Sequence, residues 1–173
     1  MQYTIGQITK IINGKGKLSS PDSRVTRLLT DSRSLTFPEE TLFFAIKTKH
    51  GNGHRYIDSL YQRGVRNFVV NSDNGFRSLA EANFIIVDDS IKALQSLAAY
   101  HRSRFGIPVV GITGSDGKTI VKEWLYQLTA GNYNVTRSPR SYNSQIGVPL
   151  SVWMLREENT LGIFEAGISR TKE

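Results

Sequence analysis

Cysteine is absent from the 173 residues, so neither a disulfide framework nor a thiolate metal centre can form. Long apolar runs are absent as well. Nothing approaches the roughly 18 consecutive apolar residues of a membrane helix, and the amino terminus lacks the apolar segment of a secretory signal. The expectation is a soluble, cytoplasmic protein. Acidic residues are in the minority, 15 against 22 Lys and Arg, for a net charge of +7. Yet there is no tract of consecutive basic residues and no RNP, zinc-finger or KH signature, so nucleic acid is not expected as a partner. The excess also suits a positive cleft that concentrates polyphosphates, and equally a fragment whose acidic remainder is missing. Internal repeats and low-complexity tracts are lacking. What is present, 39% hydrophobic and 21% charged residues, suffices for a core, and the length holds one ordinary domain or two small ones.

The chain is organised around Pro108 to Leu128, PVVGITGSDGKTIVKEWLYQL. Val109 to Ile112 has the length and β-branching of a buried strand; a loop holding Gly114 and Gly117 follows, and Lys118 and Thr119 open a helix. Val121, Trp124, Leu125 and Leu128 recur at helical spacing, which predicts that this face is buried. Strand, glycine loop and helix start together make a phosphate site. Loop amides and the unpaired N–H groups of the first helical turn converge, the helix dipole adds positive charge, Lys118 can reach outer phosphate oxygens, and the Thr119 hydroxyl can ligate magnesium. The expected ligand is a nucleoside triphosphate with Mg2+. The competing reading is an accidental GKT in a surface turn, against which the flanking strand and helix count. The spacing is G-x-x-G-x-x-G-K-T from Gly111 to Thr119, and Ile112 stands where the common P-loop pattern has its first glycine.

Elsewhere the chain alternates short strands and helices, an α/β pattern. Thr4 and Gln7 form a capping box for a helix ending at Gly14, with Ile8, Ile11 and Ile12 as its apolar face. Lys15 to Ser23 reads as loop. Strands are expected at Val25 to Thr30, Thr41 to Ile46, Asn67 to Val70 and Phe84 to Val87, with a helix at about Tyr56 to Arg63 closed by Gly64. A polar loop around Ser72 to Gly75 and a short helix separate the last two strands. Asp88 to Phe105 is a helix capped by Asp89 or Ser90, with Leu94, Leu97 and Ala98 inward. The domain boundary is placed near Val87 to Ser90, giving domains 1–87 and 88–173. Further on come a strand at Tyr133 to Thr136, a polar loop at Arg137 to Ser144, a helix with Pro149 in its first turn, and a strand at Leu161 to Phe164. That last strand ends at Glu165, where ligand-facing groups collect in open α/β sheets. On position alone Glu165 reads as a plain strand-end carboxylate.

GITGSDGKT followed by a helix resembles the ATP loop of the Mur ligases, bacterial enzymes that build the peptide stem of peptidoglycan; folylpolyglutamate synthases share a similar loop. Tyr142 to Leu150, YNSQIGVPL, and Ile163 to Ser169, IFEAGIS, are similar to segments of the family branch that adds D-alanyl-D-alanine, and the likeness runs from about Thr30 to the last residue. The resemblance implies a small amino-terminal α/β domain holding the UDP end of the substrate, followed by the first part of a P-loop-type mononucleotide-binding domain. It implies ATP and Mg2+ as cofactors, with ATP bound by Thr113, Gly114, Ser115, Asp116, Gly117, Lys118 and Thr119. Lys118, Thr119 and Glu165 would be catalytic, the last two as metal ligands. Substrate would meet Asp31, Ser32 and Arg33 in T-DSR, Lys47 at the end of LFFAIK, His54 in G-x-GH-x-x-I, and Asn143 and Ser144. The bland readings beside these are an Asx turn for DSR, a structural histidine for His54 and loop stabilisation for Asn143 and Ser144.

Two departures stand out. The family usually has Asn where this chain has Asp116, a carboxylate that would repel phosphates unless it points away, is offset by Lys118 and magnesium, or marks an altered site. Asn52 replaces a frequent acidic residue. The implied reaction is ATP-dependent joining of D-alanyl-D-alanine to UDP-N-acetylmuramoyl-tripeptide by a monomer. The residues supply only the front portion of such an enzyme, so the expectation is that alone they bind ligand at best and do not ligate; fusion to an alanine racemase, known in some bacteria, is one possible continuation. A folylpolyglutamate synthase, another P-loop enzyme and a non-catalytic nucleotide-binding module are the alternatives.

Overall fold

The predicted capping box forms. Thr4 Oγ1 accepts from Gln7 N at 3.2 Å and Gln7 Oε1 accepts from Thr4 N at 2.9 Å, opening helix α1, Ile5–Ile11. Asn13, not Gly14, takes the left-handed conformation beyond its end, with φ 50°, a position Asn tolerates because its short side chain can bond locally. The computed structural model describes residues 1–16, 18–49, 51–72 and 79–167. The chain divides into two compact units, Met1–Ser96 and Leu97–Glu173.

In the first unit, β1 (Tyr3–Thr4) pairs antiparallel with β2 (Arg24–Val25). The strand expected over Val25 to Thr30 is therefore split: β2 serves this ribbon, and β3 (Arg27–Leu29) enters a different sheet after Thr26, whose amide donates to Glu40 O at 3.1 Å. That second sheet is parallel throughout, in the order β3, β4 (Thr41–Phe44), β5 (Asn67–Val70), β6 (Asn83–Ile86). Every residue of β4 and β5 is buried, as a parallel sheet covered on both faces requires. Phe68 stacks on Phe84 at 5.2 Å and meets Phe43 edge-on at 6.4 Å, with Ile57 and Leu60 of α2 (Ile57–Gln62) in the same cluster. At the strand starts the buried amides satisfy one another: Asn83 Nδ2 donates to Asn67 Oδ1 at 2.7 Å, and Asn67 Nδ2 to Thr41 O at 3.3 Å. The loop and short helix expected between β5 and β6 fall largely on residues 73–78, outside the described residues. Helix α3 (Ser90–Ser103) is capped by Asp89, whose Oδ1 accepts from Ile91 N at 2.8 Å and Lys92 N at 3.1 Å. The division between the units falls inside it.

The second unit holds β7 (Val109–Ile112), α4 (Lys118–Thr129), β8 (Val135–Arg137), α5 (Gly147–Val152) and β9 (Leu161–Glu165). Its strands are parallel in the order β7, β9, β8. Two expectations change here. The run at 109–112 is not a fully buried strand: Val110 is 39% exposed, because β7 has a neighbour on one side only among the described residues. More telling, α4 is rotated from the expected phase. Trp124 and Leu128 are 63% and 77% exposed, Ile120 and Val121 are exposed too, and the residue fully buried beneath the helix is Lys122. The motif sets this phase, since Lys118 and Thr119 must face the loop, and Lys122, Leu125, Tyr126 and Thr129 follow on that face at i+3, i+4 and i+7.

Candidate active site

Strand β7 delivers the chain to the glycine loop beside the end of β9: Ile112 is the register partner of Glu165, and Ala166 N donates to Ile112 O at 2.8 Å. The loop residues Thr113, Gly114, Ser115, Asp116 and Gly117 are all exposed. Gly117 is the N-cap of α4 at φ 75°, with no side-chain cap. A β-carbon there would meet nothing within 4 Å, so the demand for glycine is conformational and leaves open space over the first helical turn. The N–H groups of that turn have no intrahelical acceptors, which leaves an anion-binding end. Lys118 arches over the same loop, its ammonium donating to Gly114 O at 2.6 Å and Ser115 O at 3.1 Å.

Thr119 and Glu165 are brought together. Thr119 Oγ1 donates to Glu165 Oε2 at 3.1 Å and lies 3.4 Å from Ser141 Oγ. Glu165 is fully buried, and its other oxygen, Oε1, sits 2.9 Å from the ammonium of the equally buried Lys122. That contact is an ion pair by distance without the alignment of a hydrogen bond, so Oε1 has no hydrogen-bond donor. The Lys122 protons go instead to Ser138 O at 2.9 Å and Arg140 O at 2.5 Å, and Ser138 Oγ accepts from Glu165 N at 3.0 Å. Lys122, Ser138 and Ser141 have no place in the sequence-derived site. The available signal for Lys122 was its helical position, one turn beyond Lys118 and Thr119 on the face those residues must present to the loop. Magnesium fits this donor set. A hydroxyl and a carboxylate oxygen, Thr119 Oγ1 and Glu165 Oε2, lie side by side, and among the described residues there is no group of three or more His, Cys, Asp or Glu that could hold a metal ion. A cation would therefore take its remaining ligands from phosphates and water, as Mg2+ does.

The other candidates come from other segments of the chain. In the first unit, Asp31, Ser32 and Arg33 follow β3, and Lys47 follows β4, so they lie at the carboxyl ends of neighbouring parallel strands. Asp31 caps the 3-10 turn Ser32–Ser34 by accepting from Arg33 N at 3.0 Å, and it binds the Arg33 guanidinium at 2.6 to 3.1 Å. Those bonds to Arg33 hold its carboxyl well below the usual range, at about 2. The Asx turn is thus present, and the Arg33 side chain remains 87% exposed. Gly53 is squeezed against the stretch after β4, its N donating to Ile46 O at 2.8 Å and an added β-carbon falling 2.8 Å from Ile46 N. That approach pairs Lys47 with Asn52 in an isolated bridge. His54 is committed to this loop: Nε2 accepts from Asn71 N at 3.1 Å, which leaves Nδ1–H to donate to Asn52 Oδ1 at 2.8 Å. Burial, with Lys47 adding to it, lowers its pKa. In the second unit, Ser144 Oγ accepts from Gly147 N at 3.1 Å at the start of α5, and Asn143 O accepts from Gly167 N at 2.7 Å beside the end of β9.

A parallel α/β sheet, a glycine loop opening a helix, and a strand-end carboxylate bonded to that helix's first threonine define a phosphate-loop protein. The Mur ligase middle domain matches residues 112–173. Along its length the chain is similar to members of the Mur ligase family. It is 30% identical, over its whole length, to the UDP-N-acetylmuramoyl-tripeptide--D-alanyl-D-alanine ligase of Bacillus subtilis, covering 37% of that protein. With the ligase of the same name from Treponema pallidum it shares 34% identity over 83% of the chain and 32% of the relative. Among solved structures, a MurF from Acinetobacter baumannii superposes on the full chain with a TM-score of 0.89 at 27% identity, 37% of that protein being covered. A Thermotoga maritima MurF ligase in complex with ADP superposes on 83% of the chain, and 32% of its own, with a TM-score of 0.71 at 28% identity. The chain thus spans between about 30% and 40% of the length of these relatives.

Proposed function

We propose that these residues form the UDP-substrate-binding and nucleotide-binding portion of an ATP-dependent, amide-forming ligase of peptidoglycan precursor synthesis, which joins D-alanyl-D-alanine to UDP-N-acetylmuramoyl-tripeptide in the cytoplasm as a monomer. One observation carries the reading. An uncapped helix start, a lysine ammonium and the Thr119–Glu165 pair meet at the end of one strand pair, in a chain whose relatives bear that ligase name.

The residues divide the work as follows. Amides from Thr113 to Gly117 and the first turn of α4 hold the β- and γ-phosphates, with Ser115 and the exposed Asp116 on the open side of the loop. Lys118 exchanges the Gly114 and Ser115 carbonyls for phosphate oxygens and offsets the charge that develops there. Thr119 and Glu165 would hold Mg2+, which when bound neutralises phosphate charge and keeps the transferring group in line. The stem-peptide carboxylate attacks the γ-phosphorus, the bond to the β-bridging oxygen breaks, and ADP leaves an acyl phosphate. The D-alanyl-D-alanine amine then attacks the acyl carbon, loses a proton and expels inorganic phosphate. The amino-terminal domain, residues 1–87 of the sequence, takes the UDP end. Asp31 and Ser32 offer acceptor and hydroxyl groups to uracil edges, and Arg33 and Lys47 meet the diphosphate. His54 shapes that loop through its bonds to Asn52 and Asn71. Asn143 and Ser144 border the substrate beside Gly167.

The test is Lys118→Ala in the intact protein. Phosphate release driven by tripeptide and dipeptide should fall by about 100-fold or more, while the melting temperature stays near that of the parent. An unaffected rate would remove Lys118 from the reaction. Titrations with Mg2+-ATP and with the UDP-linked tripeptide examine the two portions separately, and heat from neither would overturn the reading.

A further inference from the structure

Lys122 stands outside every motif, yet it is the most constrained cation among the described residues. It is fully buried, its ammonium lies 2.9 Å from Glu165 Oε1, and it donates to the carbonyls of Ser138 at 2.9 Å and Arg140 at 2.5 Å. Glu123 Oε1 lies 3.3 Å away on the exposed side. Stability is a poor explanation for such a residue. Removing two charges from water carries a desolvation cost that their attraction only partly offsets, and well-packed apolar replacements of a buried ion pair are often as stable or more so.

Geometry supplies a better one. Helix α4 presents Thr119 and, one turn later, Lys122 to the two oxygens of the same carboxylate: the hydroxyl faces Oε2 and the ammonium faces Oε1. Swinging the carboxylate to another rotamer would leave the buried ammonium with only the partly exposed Glu123 carboxylate, at 3.3 Å, as counter-charge. The two carbonyls fix the ammonium in turn. They belong to the segment after β8, which also anchors the Glu165 backbone through Ser138 Oγ and brings Ser141 Oγ to 3.4 Å from Thr119. Helix, strand end and loop are thus tied at one nitrogen.

We propose that Lys122 is a positioning residue for cation-dependent nucleotide binding: it locks Glu165 so that Oε2 stays beside the Thr119 hydroxyl, ready to receive Mg2+ together with the phosphates of ATP. This rests on the nucleotide-binding reading above and adds to it a residue that touches neither nucleotide nor metal. Groups that orient a metal ligand typically change metal affinity by about 10- to 100-fold when removed.

The experiment is calorimetric titration of the intact protein with ATP, once in excess Mg2+ and once in EDTA, for the parent, Lys122→Met, Glu165→Gln and the double variant. Lys122→Met should lose about 10- to 100-fold of affinity in Mg2+ and none in EDTA. Glu165→Gln should do the same, and the double variant should be no weaker than the weaker single one, because both act through one carboxylate. Lys122→Gln, whose amide keeps a donor for one of the two carbonyls, is the second variant should Lys122→Met fail to fold, with the same loss expected. Three results overturn the proposal: a parent-like response to Mg2+ in either Lys122 variant, an equal loss in Mg2+ and EDTA, which marks a merely structural role, or tighter Mg2+-ATP binding, which marks a charge that only opposes the cation. If the parent itself shows no Mg2+-dependent binding, the nucleotide-binding reading falls and this proposal falls with it. If the parent does and Lys122→Met matches it, only the role of Lys122 is lost.

Discussion

The two parallel sheets end in differently prepared polar surfaces. Beyond β3 to β5 the polar groups bond one another: Asp31 holds Arg33, and His54 is taken by Asn52 and Asn71. Beyond β7 and β9 the groups are held but incompletely satisfied. Helix α4 begins without a side-chain cap, Lys118 rests on loop carbonyls, and Glu165 Oε2 meets only the Thr119 hydroxyl while Oε1 faces Lys122. A satisfied surface is finished without a ligand, and what it offers is shape and exposed charge such as Arg33. An unsatisfied one sits in a state that an anion and a cation would complete together. The layers beneath differ in the same sense, since β4 and β5 are buried at every position whereas β7 is half open.

The first way to test this contrast is to break the apolar layer of the first unit. Phe68 is fully buried, stacked on Phe84 and edge-on to Phe43. Phe68→Ala should cost about 3–5 kcal/mol, read by urea or thermal unfolding, because the cavity left among rigid strands cannot collapse fully. Mg2+-ATP binding by the second unit should survive wherever the protein remains folded. A cost below about 1 kcal/mol would mean that this layer is far looser than its burial implies.

A smaller and pH-dependent effect belongs to the second unit. The His101 ring is 1% exposed, packs 4.6 Å from Trp153 and 4.9 Å from Phe105, and its Nε2 lies 3.1 Å from Leu155 O, to which the neutral ring donates. Burial lowers its pKa from 6.5 to about 4. The folded state thus resists a proton that the unfolded chain accepts at about 6.5. The histidine's contribution is complete above that pH and is lost progressively as pH falls from 6.5 through 4. Melting temperatures across this window should decline more steeply for the parent than for His101→Phe, and equal slopes would show that the ring is not held neutral.

The sites of these effects were legible to different degrees, for physical reasons. Local chemistry could be read directly: the Thr4–Gln7 box, the strand, loop and helix around Gly117, and the placing of Glu165 at a strand end all depend on residues close in sequence. The pairing of β7 with β9 depends on residues about fifty apart, so the neighbourhood of Glu165 came from resemblance and position, and its buried partner Lys122 was not seen at all. The phase of α4 failed for a different reason. Periodicity shows that Val121, Trp124, Leu125 and Leu128 share a stripe, and burying that stripe is the ordinary outcome. Here Lys118 and Thr119 fix which face meets the loop, so Val121, Trp124 and Leu128 turn outward and only Leu125 of the stripe stays against the sheet. Likewise His54 is recognisable as polar loop chemistry, but its tautomer is set by the amide of Asn71, a contact between segments that no local pattern encodes.

That outward turn gives the smallest expected effect and the sharpest check on the helix phase. Trp124 is 63% exposed on α4, while Leu125, the next residue, packs against the cluster of Ile112, Leu161 and Ile163. Trp124→Ser in this chain should shift stability by no more than about 0.5 kcal/mol, as surface substitutions do, whereas Leu125→Ala should cost about 2 kcal/mol or more. The ordering matters more than either value. If Trp124 proved the costlier of the two, the helix would have to be rolled so that its apolar stripe faced the sheet. Lys122 would then be carried away from Glu165, and the ion pair that distinguishes this strand end from the satisfied surface of the first unit could not form.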